Sequence, residues 1–173
     1  MPVQFARTGK TAATLSVSAE TPLGPVLMAE KDGRLAGVWF SGQRHFPAEA
    51  SDWLQETTPL LKRAGAQLAA YFAGELTGFD LPLAAVGTPF QQAVWRQLVD
   101  IPYGCTRSYG QIAQALGKSS ASRAVGMAVG RNPWSVIVPC HRVLGSGGQL
   151  TGYAGGLDRK RRLLALESGG NSR

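Results

Sequence analysis

Polar and apolar residues alternate over residues 12–20, where Leu15, Val17 and Ala19 take turns with Thr14, Ser16 and Ser18. A period of two sends the two sets to opposite faces of a strand. A turn cluster, Thr21-Pro22-Leu23-Gly24-Pro25, follows. Residues 26–30 and 35–40 predict two more strands. Lys31-Asp32-Gly33-Arg34 joins them, and Asp-Gly suits a tight hairpin because both central residues must take positive φ. Regularity is lost over 41–57, which predicts a loop with some helix. Over 59–73, Leu61, Ala64, Leu68 and Tyr71/Phe72 recur at helical spacing. Residues 74–87 read as a connector with a short strand near 81–83.

Beyond that connector the pattern turns helical. Thr88-Pro89 opens a helix to Val99, with Thr88 as N-cap and Pro89 at the first helical position. Phe90, Val94, Trp95 and Leu98 form its apolar stripe. Pro102-Tyr103-Gly104 breaks the run. Residues 108–116 predict a short helix with Ile112, Ala113 and Leu116 inward, ended by Gly117. Ser119 or Ser120 is expected to cap a second helix over 121–129. Helix, Gly-containing turn, helix is the helix-turn-helix pattern. A strand-like apolar run at 135–138 leads into Pro139-Cys140-His141-Arg142-Val143. A Gly-rich loop (145–156), a closing helix (157–167) with Leu163, Leu164 and Leu166, and a frayed tail (169–173) complete the chain. The fold class expected is α+β. An N-terminal antiparallel sheet with a helix occupies residues 1–80, and a helical, winged-helix-like domain containing the helix-turn-helix occupies 88–173.

Charge separates the same two halves. Residues 1–87 carry seven Lys/Arg against eight Asp/Glu, and residues 88–173 carry eleven against three. The whole +7 excess therefore sits in the second half. Such a surplus suits a polyanion, because each neutralised phosphate releases condensed counterions. No apolar stretch is long enough to span a membrane, and no secretory signal opens the chain, so no membrane partner is expected. Two cysteines, Cys105 and Cys140, make no disulfide framework, and a cytoplasmic location is expected. With His45 and His141 they lack CxxC or HxxxH spacing, so neither a metal site nor a cofactor is expected.

Cys140 followed by His141 is the one pairing with chemical promise. A thiol attacks only as thiolate, and a free cysteine near pKa ~8.5 is mostly protonated at neutral pH. An adjacent imidazole, directly or through water, can take that proton. It then needs a third group to fix its tautomer, and Glu167 is one of only three acids in the second half. The plainer alternative is a buried small hydrophobe beside a satisfied histidine. Cys105 has no such neighbour and reads as structural.

The motif Pro139-Cys140-His141-Arg142-Val143 resembles the active-site motif of the O6-alkylguanine-DNA alkyltransferases, the methylated-DNA–protein-cysteine methyltransferases. The likeness continues in order through Gly87-Thr88-Pro89-Phe90-Gln91, Val94-Trp95, Ile101-Pro102-Tyr103-Gly104 and Ser108-Tyr109-Gly110-Gln111-Ile112-Ala113. It extends to Arg123-Ala124-Val125-Gly126, Asn132-Pro133, Gly152-Tyr153-Ala154-Gly155-Gly156-Leu157 and Leu163-Leu164 before Glu167. The resemblance implies direct reversal of DNA damage in a single turnover. Cys140 would accept an alkyl group from guanine O6 in double-stranded DNA. His141 would serve as a water-mediated base oriented by Glu167, Asn132 would hold the turn, and Tyr109 would assist departure of guanine at N3. Backbone groups of Cys140 and Val143 would read the exocyclic amine, and the Ala154 N–H would bond O6, with Tyr153 and Gly155 shaping the pocket wall. Arg123 would fill the gap left by a flipped base in the minor groove. Ala124 and Gly126 would permit close approach to the backbone.

The small-residue helix over 121–129 has its own meaning. It offers few long polar side chains to read base edges, which predicts a reader indifferent to sequence. Arg131, Arg107, Lys118 and Arg96 are the expected phosphate contacts. A monomer that can assemble cooperatively on DNA is expected. Trp134 is bulkier than the aliphatic residue the family pattern suggests, which predicts a reshaped pocket edge. Two other classes share parts of the pattern: a helix-turn-helix regulator, which would need base-reading side chains, and a cysteine hydrolase, which would need an oxyanion hole.

Overall fold

The computed structural model describes residues 3–6 and 12–169. The predicted tail beyond 169 lies outside them. The chain divides into two compact units: Met1–Val86 with Pro133–Ile137, and Gly87–Asn132 with Val138–Arg173.

The first unit is built on one six-stranded sheet. Its strands are β1 (Gln4–Ala6), β2 (Leu15–Ala19), β3 (Val26–Lys31), β4 (Arg34–Phe40), β5 (Leu54–Gln55) and β6 (Pro82–Ala84), in the order β1-β6-β4-β3-β2-β5. β2, β3 and β4 form the expected antiparallel meander. Asp32 and Gly33 both take positive φ at the β3–β4 turn, as the Asp-Gly pair requires. Parallel pairings extend the meander, β5 on β2 and β6 with β1 beyond β4. β1 escapes sequence reading because three residues carry too little pattern and their partner lies almost eighty residues away.

Helix α1 (Pro59–Phe72) starts with Thr58 accepting from the Leu61 N–H and Pro59 at its first position. Leu61, Ala64, Leu68 and Tyr71 are buried, so the apolar stripe becomes core, while Phe72 is half-buried. Val26, Met28, Leu35, Val38, Phe40 and Leu83 are buried apolar side chains of this unit's sheet, and Ser16 of β2 is a buried polar one.

The expected strand over 135–138 does not form. Val136 takes φ +72°, a left-handed conformation that interrupts extended backbone and is costly for a β-branched residue. Only the start of the segment pairs: the Val38 N–H donates to Pro133 and the Ser135 N–H to Val38. Trp134 is fully buried within this unit, donates its indole N–H to the Leu35 carbonyl (2.8 Å) and meets Phe5 edge-on. It is a core residue of the sheet unit, so the pocket-edge expectation is withdrawn.

In the second unit, α2 (Pro89–Val99) carries a full capping box between Thr88 and Gln91. Val94, Trp95 and Leu98 are buried and Phe90 is half-buried. α3 (Tyr109–Ala115) has a second capping box, Ser108 with Gln111. Gly117 (φ +70°) ends it in a Schellman arrangement, with Gly117 N–H to Gln114 and Lys118 N–H to Ala113. α4 (Ser122–Gly130) completes the helix-turn-helix, and the Trp95 indole donates to the Ala128 carbonyl, tying α2 to α4. Neither Ser119 nor Ser120 caps α4. Ala121 holds that position without a side-chain bond, because the turn closes through its own backbone, Ala121 N–H to Lys118. Two short parallel strands, β7 (Arg107–Ser108) and β8 (Val143–Leu144), pair with each other, and α5 (Leu157–Gly169) closes the described chain. No helix among the described residues is long and apolar enough to cross a membrane.

Candidate active site

Cys140 opens a one-turn 3-10 segment, Cys140–Arg142, immediately after Pro139. Pro139 sits at φ −80°, ψ 63°, and the Cys140 N–H donates to the Val138 carbonyl (2.8 Å). That is an inverse γ-turn, and it turns the backbone into the 3-10 segment that carries the thiol. The Asn132 amide donates to the same Val138 carbonyl (2.9 Å). Asn132 is itself buried at the end of α4, so the helix-turn-helix and the cysteine turn are held to one another.

Burial pushes the Cys140 thiol above its ordinary range. Four groups pull it back: the Asn132 side chain, the Lys160 ammonium, and the backbone N–H groups of Cys140 and His141. The thiolate thus has donors and a cation waiting, but needs a base to form.

His141 is fully buried. Its Nε2 lies 2.7 Å from Glu167 Oε1. A carboxylate can only accept, so Nε2 carries the proton and Nδ1 keeps its lone pair. Nδ1 is buried with no hydrogen-bond partner among the described residues, leaving a base site open. Burial holds the imidazole below its ordinary pKa, against the pull of Glu167, and the charges of Arg142 and Lys160 add to the depression. His141 is therefore neutral at pH 7.

Arg142 gives Glu167 a counter-charge in the interior. Its Nε donates to Oε2 (2.9 Å) and its Nη2 to Oε1 (2.8 Å), a bidentate clamp, while Nη1 donates to the Ile101 carbonyl (2.6 Å). Its guanidinium also lies 5.7 Å from the Tyr103 ring centroid.

The Gly-rich loop supplies the facing wall. Gly152 takes φ +49° and lies against the Tyr109 hydroxyl. Tyr109, at the start of α3, donates that hydroxyl to the Thr151 carbonyl (3.0 Å). Lys160 donates to the Thr151 carbonyl (2.9 Å) and the Gly152 carbonyl (3.1 Å). The same ammonium thus fastens the loop and faces Cys140, and burial lowers its pKa to about 8. Burial holds the Tyr109 phenol above its ordinary range. Tyr153 and Ala154 are half-buried, Gly155 is buried and accepts from Arg159, and Val143 is buried in β8. Gly126 of α4 faces the Tyr109 ring, which brings the α4 surface to the same edge; Arg123 and Ala124 are exposed there.

Cys140, His141, Glu167, Asn132 and Tyr109 thus lie in one network within one unit. Lys160 and Arg142 are the members that sequence reading missed. Arg142 stood inside the quoted motif, but nothing local marks an arginine as buried. Lys160 sits in the basic run Arg159-Lys160-Arg161-Arg162, and a run of like charges ordinarily marks a solvated face. Cys105 is exposed. Arg131, Lys118 and Arg96 are exposed and Arg107 is half-buried, with Lys118 over the Phe90 ring. Among the described residues no cluster of His, Cys, Asp and Glu could hold a metal ion.

Comparison with known proteins shows the family. Residues 15–85 match the model of the 6-O-methylguanine DNA methyltransferase ribonuclease-like domain, and residues 89–169 match that family's DNA-binding domain. The chain belongs to the 6-O-methylguanine DNA methyltransferase family. A methylated-DNA–protein-cysteine methyltransferase of Methanosarcina acetivorans is 51% identical over 148 residues, covering 86% of this chain and 94% of that protein. A methyltransferase of the same name from Mycobacterium leprae is 50% identical over 150 residues, covering 87% and 90%. Among solved structures, the Mycobacterium tuberculosis OGT in complex with DNA superposes with a TM-score of 0.82 at 46% identity, covering 91% of this methyltransferase-family chain and 94% of that one.

Proposed function

We infer that this chain is a methylated-DNA–protein-cysteine methyltransferase that repairs DNA by moving the alkyl group of O6-alkylguanine onto Cys140. The observation that carries the reading is the buried thiol beside a neutral histidine whose far nitrogen is held by an arginine-clamped carboxylate. His141 Nδ1 takes the thiol proton through a water. The thiolate, met by the Asn132 side chain and the Lys160 charge, attacks the alkyl carbon. A C–S bond forms as the C–O6 bond breaks. Tyr109 delivers a proton to N3 so that guanine leaves neutral, and the proton lost from sulfur balances the one gained by the base. A thioether has no good leaving group, so each molecule acts once.

The reacting carbon of a stacked base is out of reach, so the nucleotide must be extruded, at a cost of a few kcal/mol. Arg123, exposed at the start of α4, occupies the gap. Ala124 and Gly126 let the helix approach the sugar-phosphate backbone. The Gly152–Gly156 loop, with Tyr153, Ala154 and Gly155, and the backbone of Val143 form the base pocket. The acting unit in this reading is a monomer whose Cys140 network closes through its own His141, Glu167 and Lys160, and a sigmoidal titration would reveal cooperative loading on DNA. Two unpaired cysteines suit the reducing cytoplasm.

The test is intact mass after incubation with duplex bearing O6-methylguanine. One added methyl group per molecule, mapped to the Cys140 peptide and never exceeding one, is expected. Cys140→Ala should abolish the adduct and keep duplex binding. A stable protein with no adduct, or an adduct on Cys105, would overturn the assignment.

A further inference from the structure

The outward face of α4 holds a residue that the repair chemistry does not use. Val125, Ala128 and Val129 are buried, and Arg123, Ala124 and Met127 point away from them. Met127 is 71% exposed, the most exposed of the large apolar side chains among the described residues. Its neighbours Ser122, Ala124, Gly126, Ala128 and Gly130 are all small, so nothing shields the thioether. Arg123 stands four residues before it and the exposed Arg131 four residues after, which sets all three along one stripe of the helix.

A long apolar side chain between two arginines matches a surface where anionic and apolar zones alternate at short range. Duplex DNA presents that surface, with phosphates on either side of a groove walled by sugars and base edges. A second copy of this chain does not, because the same arginines would face each other. We propose that Met127 enters the DNA groove as an apolar filler between the Arg123 and Arg131 contacts. A thioether has no donor and only a weak acceptor, so it adds contact without reading sequence, and its three rotatable bonds let it fit any step. The inference rests on the reading of α4 as the DNA-facing helix.

The experiment measures duplex Kd over a salt series for the full chain and for Met127→Ala, Met127→Leu and Met127→Glu. Alkyl transfer from the free modified base and thermal unfolding are measured alongside. Met127→Ala should weaken binding roughly tenfold at every salt concentration, the scale of a lost apolar burial. The slope of log Kd against log salt should stay fixed, because no phosphate contact is lost. Met127→Leu should restore affinity, and Met127→Glu should weaken it further. Arg131→Ala should instead reduce the slope by about one. Free-base transfer and unfolding should be unchanged in all three Met127 variants. Binding within twofold of the parent for Met127→Ala overturns the proposal. So does a changed salt slope, or a loss confined to self-association or to binding of anionic vesicles. Failure of the parent chain to accept alkyl from the free base would sink the transfer reading instead, with the Kd series still deciding Met127.

Discussion

The two units bury different things. The sheet unit encloses apolar side chains such as Leu35, Val38 and Phe40, and its charged residues stay at or near the surface. The helical unit encloses His141, Arg142, Lys160 and Glu167. An apolar core is stabilised by area removed from water and tolerates rearrangement. A buried polar network is stable only while every member keeps its partner. The sheet unit is therefore specified by pattern, and the helical unit by a few exact pairings that its chemistry requires.

Breaking one pairing should hurt most. Glu167→Gln leaves the Arg142 guanidinium buried without its counter-charge, and a loss of about 3–5 kcal/mol in urea-unfolding stability is expected. Transfer should also slow, since His141 loses the group that holds its tautomer. A loss below 1 kcal/mol would show that the interior charge is better hydrated than its burial implies.

The matching cut in the other unit is Leu35→Ala, a fully buried apolar residue of β4. It should cost about 2–5 kcal/mol, with transfer per folded molecule unchanged. A changed transfer rate at full folding would mean that the sheet unit has a share in the chemistry.

Acidification sharpens the contrast without mutation. The unfolded imidazole of His141 binds a proton near 6.5, while burial depresses the folded value. The unfolded state therefore holds more protons below that pH, and stability should fall as pH drops through 6.5. The slope should approach ~1.4 kcal/mol per pH unit. Thermal unfolding from pH 7.5 to 5.5 measures it, and His141→Asn should flatten it. Arg142→Gln should carry the acid limb of the transfer rate to higher pH, because an unclamped Glu167 stabilises imidazolium. An unmoved limb would reduce Arg142 to packing.

The smallest effect belongs to the Arg63–Asp80 pair of the sheet unit, 2.9 Å apart and about half exposed. Asp80→Asn should change stability by less than ~1 kcal/mol. A larger loss would erase the distinction between exposed and buried pairs.

The same distinction explains what could be read from the sequence. The Asp32-Gly33 turn, the Thr88 cap and the stripe of α1 are local signals, and each lies where residue chemistry puts it. The pairing of β1 with β6 is non-local and carries no local mark. The run at 135–138 looks like a strand by composition, but Val136 takes positive φ, a conformation that a β-branched residue does not announce in sequence. Over α5 the leucines suggested an apolar stripe, yet the buried positions are Lys160, Leu163 and Glu167. Cys140, His141 and Glu167 were legible as reactive types and through a motif. Lys160 was not, because its burial depends on how the preceding loop folds back to offer the Thr151 and Gly152 carbonyls, which composition does not display.

Glu167 stands 25 residues beyond Arg142 in the chain, and through one carboxylate it serves both that guanidinium and His141. Until α5 docks, the cysteine turn has neither an oriented proton acceptor nor a neutralised arginine. On the proposed mechanism, nucleophilicity is thereby made conditional on the arrival of the closing helix, so that a partly folded or truncated molecule would not spend its acceptor thiol on the wrong electrophile.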